Sequence, residues 1–171
     1  RPNTETYKIL MDVYVQRGNL EKVQEIFEEF PDEPTVELYN KLIQAHGKLG
    51  SAERALDIVK GMNAPNTKTW LQVLRAFAVR KDLETVQSLI RERVPEPTID
   101  ILNIELSLLG TRDPRRAEKY LYNLRQEYNV VPDAESFYHV MNGYRRSNKS
   151  TPTFKMEQLL SLHPDVIPDR T

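Results

Sequence analysis

Apolar side chains recur every three or four residues in several short stretches of the chain. The spacing is the same in four of them: Tyr7, Leu10, Met11 and Tyr14; Tyr39, Leu42, Ile43 and His46; Trp70, Val73, Leu74 and Phe77; and Phe137, Val140, Met141 and Tyr144. Residues with this spacing share one face of an α-helix. Each stretch is therefore predicted to be an amphipathic helix with a buried stripe.

A second apolar stripe follows the first after a short polar break. The breaks fall at Gly18-Asn19, Gly50-Ser51, Lys81-Asp82 and Asp113-Pro114. Gly, Asn, Ser and Asp suit a helix end and the N-cap of the next helix. The second stripes contain Leu20, Val23, Ile26 and Phe27; Ala52, Ala55, Ile58 and Val59; and Leu83, Val86, Leu89 and Ile90. Each unit is thus predicted to be a hairpin of two helices.

A proline opens each unit, and its return sets the period. The prolines are Pro2, Pro34, Pro65, Pro97, Pro132 and Pro168, which lie 31 to 36 residues apart. Such a period indicates a solenoid, in which each unit buries its apolar face against its neighbours. We predict an all-α, right-handed solenoid of about five helix-turn-helix repeats over residues 1–171, with units of approximately 4–35, 36–66, 67–98, 99–133 and 134–169.

Composition narrows the possibilities further. The chain has no cysteine, so thiolate zinc sites and thiol catalysis are excluded, and no apolar run has the length of a membrane span. Its formal net charge is -1, without the basic excess that is typical of strong nucleic-acid binders. The chain lacks an initiator Met and opens and closes on the same repeat boundary, from which we expect an excerpt of a longer array.

The residues that open the units and form their turns resemble those of pentatricopeptide repeats rather than those of tetratricopeptide repeats. Units open with Pro-Asn-Thr-Glu-Thr-Tyr at residues 2–7 and with Pro-Asp-Ala-Glu-Ser-Phe at residues 132–137. Tyr39-Asn40-Lys41-Leu42-Ile43, followed by Gly47-Lys48-Leu49-Gly50, is similar to a first helix of the family with its turn. Residues 18–30 are similar to a second helix. Several units are short or degenerate, and the drifting period also fits this family.

The resemblance implies that single-stranded RNA binds with one base per unit. In the family, two polar residues contact each base: one directly after the aromatic and one directly after the closing proline. In this chain those positions hold Lys8 with Thr35, Asn40 with Asn66, Leu71 with Thr98, Asn103 with Asp133, and Tyr138 with Asp169. Asn103 with Asp133 matches the pair for uridine, and Asn40 with Asn66 resembles a looser pyrimidine pair. Leu71 cannot hydrogen-bond a base edge.

Charge along the presumed groove supports a different function. Family members usually carry an aliphatic residue two positions before the aromatic, where this chain has Glu5, Glu37, Lys68, Asp100 and Glu135. Carboxylates at four of these positions would repel phosphate. At the position of a phosphate-contacting lysine of the family, only Lys48 and Arg146 are basic. The alternative is therefore a protein–protein scaffold, for example a subunit of a mitochondrial ribosome.

Other chemistry is sparse in the sequence. Glu105 stands where other units have a buried aliphatic side chain, and a salt bridge to an arginine or a local rotation of the helix is expected there. His46 lies on an apolar stripe and is expected to be packed. His139 and His163 are expected to lack further ligands at metal-binding spacing on one helix face, so no metal site is predicted. We also predict no cofactor, no small-molecule substrate and no enzymatic activity in this window.

The predicted function is that of an organellar RNA-associated protein acting in RNA processing, stability or translation. The expected partner is single-stranded or ribosomal RNA, and protein partners in a larger assembly are the alternative. The resemblance implies a mitochondrial location, with a plastid as the alternative.

Overall fold

The computed structural model describes residues 3–147, and within them the chain is helical throughout. The helices are α1 (Thr4–Gln16), α2 (Leu20–Glu28), α3 (Val36–Leu49), α4 (Ala52–Lys60), α5 (Thr67–Val79), α6 (Leu83–Arg93), α7 (Ile99–Arg112), α8 (Pro114–Tyr128) and α9 (Ala134–Arg146). They alternate between the predicted first and second helices of the units. In the described residues, no helix is both long enough and apolar enough to cross a bilayer.

The chain divides into two compact units, one up to Asp82 and one from Leu83 onward. In the first, α1 packs on α3 and α3 on α5, while α2 and α4 pack against these first helices. Its core contains Met11, Val23, Ile43, Ala55 and Leu74, each fully or almost fully buried. The first helices α1, α3 and α5 therefore form one layer, and the second helices cover its other side.

The second unit is built around α7. This helix packs against α6, α8 and α9, and α8 also contacts α9. Accordingly, α7 is buried on almost every side, with Ile101, Leu102, Leu106 and Leu109 excluded from solvent. At its contact with α9, the backbone of Gly110 approaches that of Gly143, and neither residue has a side chain to separate the helices.

Most stripe residues are buried as the spacing predicts, but Leu10 is not. Its side chain is 42% exposed, whereas its counterparts Leu42, Val73 and Val140 are buried. The reason is packing: α3 lies between α1 and α5, while α1 contacts only α2 and α3 among the described helices. The outer face of α1 therefore remains uncovered within residues 3–147.

Candidate nucleic-acid interface

The residue that follows each opening proline caps the next first helix. Asn3, Thr35, Asn66 and Asp133 are N-caps whose side chains accept backbone N–H groups of the first turn. Thr98 occupies the same position before α7 but makes no side-chain cap. A polar side chain with its backbone in an extended conformation satisfies amides that would otherwise be unpaired. Three of the five second residues of the predicted base-reading pairs, Thr35, Asn66 and Asp133, thus have a structural role that the sequence analysis did not identify.

The pair predicted for uridine forms a direct contact. Asn103 Nδ2 donates to Asp133 Oδ1 at 3.1 Å, and Asn103 Oδ1 accepts from the Ser136 hydroxyl at 2.7 Å. Ser136 is the third residue of α9 and closes a capping box with Asp133. Because one amide atom donates and the other accepts, the orientation of the Asn103 amide is fixed. One amide hydrogen and one oxygen lone pair remain for another partner.

The protonation of Asp133 follows from the same contacts. Burial alone would raise the pKa of Asp133, but the Ser136 backbone amide and the Asn103 side-chain amide donate to the carboxylate and hold its pKa below the ordinary value. Asp133 is therefore an anionic acceptor at neutral pH. It can hold the Asn103 amide hydrogen while it caps α9.

Asn40 and Asn66 are arranged differently. Asn66 forms a capping box with Thr69, as Asp133 does with Ser136, but the structure gives no hydrogen bond from this box to Asn40. Asn40 is only 8% exposed, and its Oδ1 has no hydrogen-bond partner. A buried acceptor without a donor is costly. The Asn40 carbonyl is therefore a buried acceptor whose hydrogen-bonding capacity is unused in this structure.

Lys8 is held by two carboxylates of the groove face. Its Nζ lies 2.6 Å from Glu5 Oε2 and 2.7 Å from Glu37 Oε2. Hydrogen bonds to Glu37 and then Glu5 raise the pKa of Lys8 above its usual range, and the same lysine lowers the pKa of Glu37. Two of the four carboxylates expected to repel phosphate thus share one lysine, which leaves this cluster with a net negative charge and engages Lys8, a predicted base-contacting residue.

The remaining predicted base-contacting residues are less organised. Tyr138 is 54% exposed on α9, with its ring 5.8 Å from that of His139. Leu71 offers no hydrogen bond, as expected. Asp169 lies outside the described residues, so its pairing with Tyr138 stays a prediction.

The two predicted phosphate-contacting residues lie in the last turns of first helices. Lys48 is the penultimate residue of α3 and Arg146 is the last residue of α9, and both are exposed. Lys48 also lines a cleft of about 540 Å³ between α3 and α5. A smaller cleft of about 140 Å³ lies beside it and contains Lys8, Asn40 and Lys68. Gln44 and Gln72 line both clefts, which sequence reasoning did not foresee because clefts depend on helix approach.

Glu105 is buried without the arginine partner that was expected. It is 4% exposed, and its carboxylate accepts from Gln87 Nε2 and from the Tyr120 hydroxyl, each at 2.6 Å. Among the described residues, no Lys, Arg or His nitrogen forms a salt bridge with it. Burial first, and the neighbouring Glu105 charge second, raise the pKa of Tyr120 beyond its usual range. Two neutral donors from α6 and α8 therefore replace the expected salt bridge.

The histidines show no metal chemistry in the described part of the chain. His46 is buried, with its Nε2 3.2 Å from Gln24 Nε2, as expected for a packed histidine. Contrary to the sequence analysis, His139 does have an acidic neighbour one helical turn away, because Glu135 Oε1 lies 3.4 Å from its Nε2. Residues 3–147 contain no group of three or more side chains that could hold a metal ion. His163 lies outside this range.

Comparison with known proteins agrees with this architecture. The sequence model of the PPR repeat matches residues 5–33 and 37–64. Two pentatricopeptide repeat-containing proteins of Arabidopsis thaliana are 20% and 22% identical to this chain over 137 and 136 residues. These alignments cover 78% and 76% of this chain and 25% and 22% of the relatives. The chain thus spans about a quarter of the length of these curated relatives.

Two solved structures share the fold. The PPR domain of Arabidopsis thaliana protein-only RNase P 1, in complex with tRNA, gives a TM-score of 0.65 at 17% identity and covers 93% of this chain and 89% of that domain. The pentatricopeptide repeat protein PPR10 from maize gives a TM-score of 0.70 at 19% identity, and the match covers 98% of this chain and 25% of the maize chain. The predicted fold class, an all-α solenoid of helix-turn-helix repeats, is confirmed. Residues 5–33 and 37–64 match the pentatricopeptide repeat, and the chain as a whole is similar to pentatricopeptide repeat proteins.

Proposed function

We propose that this chain binds single-stranded RNA, or single-stranded parts of ribosomal RNA, through the first helices of each of its two units. The observation that carries this proposal is the hydrogen bond between Asn103 and Asp133, which holds one amide in a fixed orientation. A fixed amide can discriminate between base edges because its donor and acceptor cannot exchange places. Asn103 with Asp133 would contact uridine.

The unsatisfied acceptor of Asn40 supports a second base contact. The Asn40 Oδ1 atom is buried without a donor, and the residue Asn40 lines the same cleft as Lys68. A base that donates a hydrogen bond there would satisfy the acceptor, while Asn66 would be the second member of the pair. Lys48 and Arg146 would contact phosphate at the ends of α3 and α9. Lys8, Thr35, Tyr138 and Asp169 complete the proposed set of base contacts.

The proposed cellular role rests on the similarity to pentatricopeptide repeat proteins. The protein-only RNase P 1 domain was solved in complex with tRNA, which supports RNA as a ligand of this fold. We propose a role in RNA processing, stability or translation in an organelle, the mitochondrion in the first instance and the plastid as the alternative. The proposed role of this chain is binding, and no catalytic residue is assigned.

A protein scaffold is the second candidate function. The observation that favours it is the pairing of Lys8 with Glu5 and Glu37, which withdraws a cation from the groove face. Exposed Asp100 and Glu135 add negative charge on first helices of the second unit. Such a surface would favour a basic protein segment, as in a ribosomal assembly.

Fluorescence anisotropy with uridine-rich and adenosine-rich single strands tests the RNA proposal. At low salt we expect tighter binding to the uridine-rich strand, with an affinity that falls as salt rises from about 50 to about 200 mM. Asn103→Ala should remove about 1–3 kcal/mol of the discrimination between the two strands. It should leave the salt dependence unchanged, because it removes no phosphate contact.

Asn123→Ala is the matched control, since Asn123 presents an amide on the second helix α8. Its affinity and its preference should equal those of the unmodified chain. Thermal unfolding monitored by circular dichroism checks that each variant is folded at the assay temperature. No binding to either strand at low salt would refute RNA binding and favour the scaffold.

A further inference from the structure

The cleft of about 540 Å³ between α3 and α5 has a floor made by small residues. Gly47 of α3 faces Ala76 of α5 so closely that a Cβ atom at position 47 would lie 2.8 Å from the Ala76 Cβ. Ala78 and Val79 continue the apolar surface toward solvent, and Val79 is 79% exposed. The floor is therefore shallow, apolar and free of long side chains, which are the properties of a surface on which a planar ligand can lie.

The rim of this cleft is cationic. Lys48 from α3 and Arg75 from α5 both line it, and no carboxylate does. Within residues 3–147 neither of the two forms an ion pair. Cations without a local counter-charge, next to apolar surface, favour a ligand that is apolar on one side and anionic on the other.

Two glutamines provide the polar specificity. Gln44 and Gln72 line this cleft and also the neighbouring cleft that contains Asn40 and Lys68. Each amide can both donate and accept. A ligand that passes through both clefts would meet amides and cations, and the one carboxylate that lines them, Glu37, is paired with Lys8. Such a lining suits an extended polymer of bases and phosphates.

We propose that the α3–α5 cleft holds one nucleotide of single-stranded RNA in addition to the bases contacted by the asparagine pairs. The base lies on the floor formed by Ala76, Ala78 and Val79, with its edge bonded to Gln44 or Gln72. The phosphate lies between Lys48 and Arg75. This inference rests on the proposed function. An acidic amphipathic peptide would also match the charge of the rim. Its apolar side chains would, however, leave the Gln44 and Gln72 amides without hydrogen-bond partners, whereas a base edge both donates and accepts.

Comparing base-bearing RNA with the same strand lacking its bases isolates the base contact. Val79→Ser removes apolar surface at an exposed site, so the fold should be unaffected. We expect it to weaken binding of uridine-rich RNA by about three- to tenfold. Binding of the abasic strand should not change. Lys48→Ala should weaken both strands and reduce their salt dependence, because it removes a phosphate contact.

The matched control is Val131→Ser, which changes an exposed valine in the segment between α8 and α9 and should change neither affinity. If RNA binds and Val79→Ser has no effect, the base is not in this cleft and the proposal is overturned, while the proposed function stands. Equal weakening of both strands would also overturn it. Absence of RNA binding by the unmodified chain would refute the proposed function itself. Binding of a labelled acidic amphipathic peptide that Val79→Ser abolishes would then assign the cleft to protein.

Discussion

Gly143→Ala is expected to destabilise the second unit by about 3 kcal/mol. A Cβ atom at position 143 would lie 2.8 Å from the carbonyl carbon of Gly110 and closer still to its oxygen. The obstacle is backbone, so no side-chain rotation can relieve the clash, and α7 and α9 must move apart. Since α7 and α9 contact each other extensively, that movement would loosen the packing of Leu106 and Val140.

Urea unfolding followed by circular dichroism measures this effect. Gly61→Ala is the control, because a Cβ there would meet nothing closer than 3.5 Å and its backbone angle suits any residue. It should shift the free energy of unfolding by less than about 0.5 kcal/mol. Peptide-resolved hydrogen exchange should show faster exchange in α7 and α9 of Gly143→Ala. An unfolding midpoint equal to that of the unmodified chain would contradict the close contact.

Tyr120→Phe is expected to cost about 2 kcal/mol, because it removes one of two donors to a buried carboxylate. The Tyr120 hydroxyl is 2.6 Å from Glu105 Oε2, and no Lys, Arg or His of the described residues forms a salt bridge with Glu105. The same substitution in a Glu105→Leu background should cost less than about 0.5 kcal/mol, since the phenol then has no carboxylate to bind.

This double-mutant cycle separates the hydrogen bond from packing. The difference between the two costs is the coupling energy, which we expect to be at least about 1 kcal/mol. Tyr39→Phe is the control, since Tyr39 lies in the first unit and does not line the cavity that contains Glu105. A coupling energy near zero would mean that Tyr120 contributes only by packing.

Local pattern predicted the helices well, because their apolar spacing and their caps are encoded within a few residues. The stripes through Met11, Ile43 and Leu74 are buried where the spacing places them. The close contact of Gly110 with Gly143 was not predictable, since it depends on how α7 and α9 meet across more than thirty residues. Leu10 shows the same limit, because the burial of a stripe depends on which helices cover it.

The candidate site was likewise predicted only in part from the sequence. Asn103 and Asp133 follow from the register of the repeats, and their contact is present in the structure. The part of Ser136 in fixing the Asn103 amide was missed, although a hydroxyl three residues after an N-cap is a recognisable capping signal. The neutral donors of Glu105 were missed too, because Gln87 and Tyr120 come from α6 and α8, on either side of α7 in the chain.

Photo-crosslinking with single-stranded RNA that carries 4-thiouridine, followed by mass spectrometry, tests most directly whether RNA binds to the first helices. We predict crosslinks to peptides of the first helices α1, α3, α5, α7 and α9, with none to exposed residues of α2, α4 or α8. Crosslinks should weaken as salt rises, since phosphate contacts supply much of the affinity. Crosslinks confined to the second helices, or no crosslink at low salt, would contradict the proposal that this chain binds RNA through its first helices.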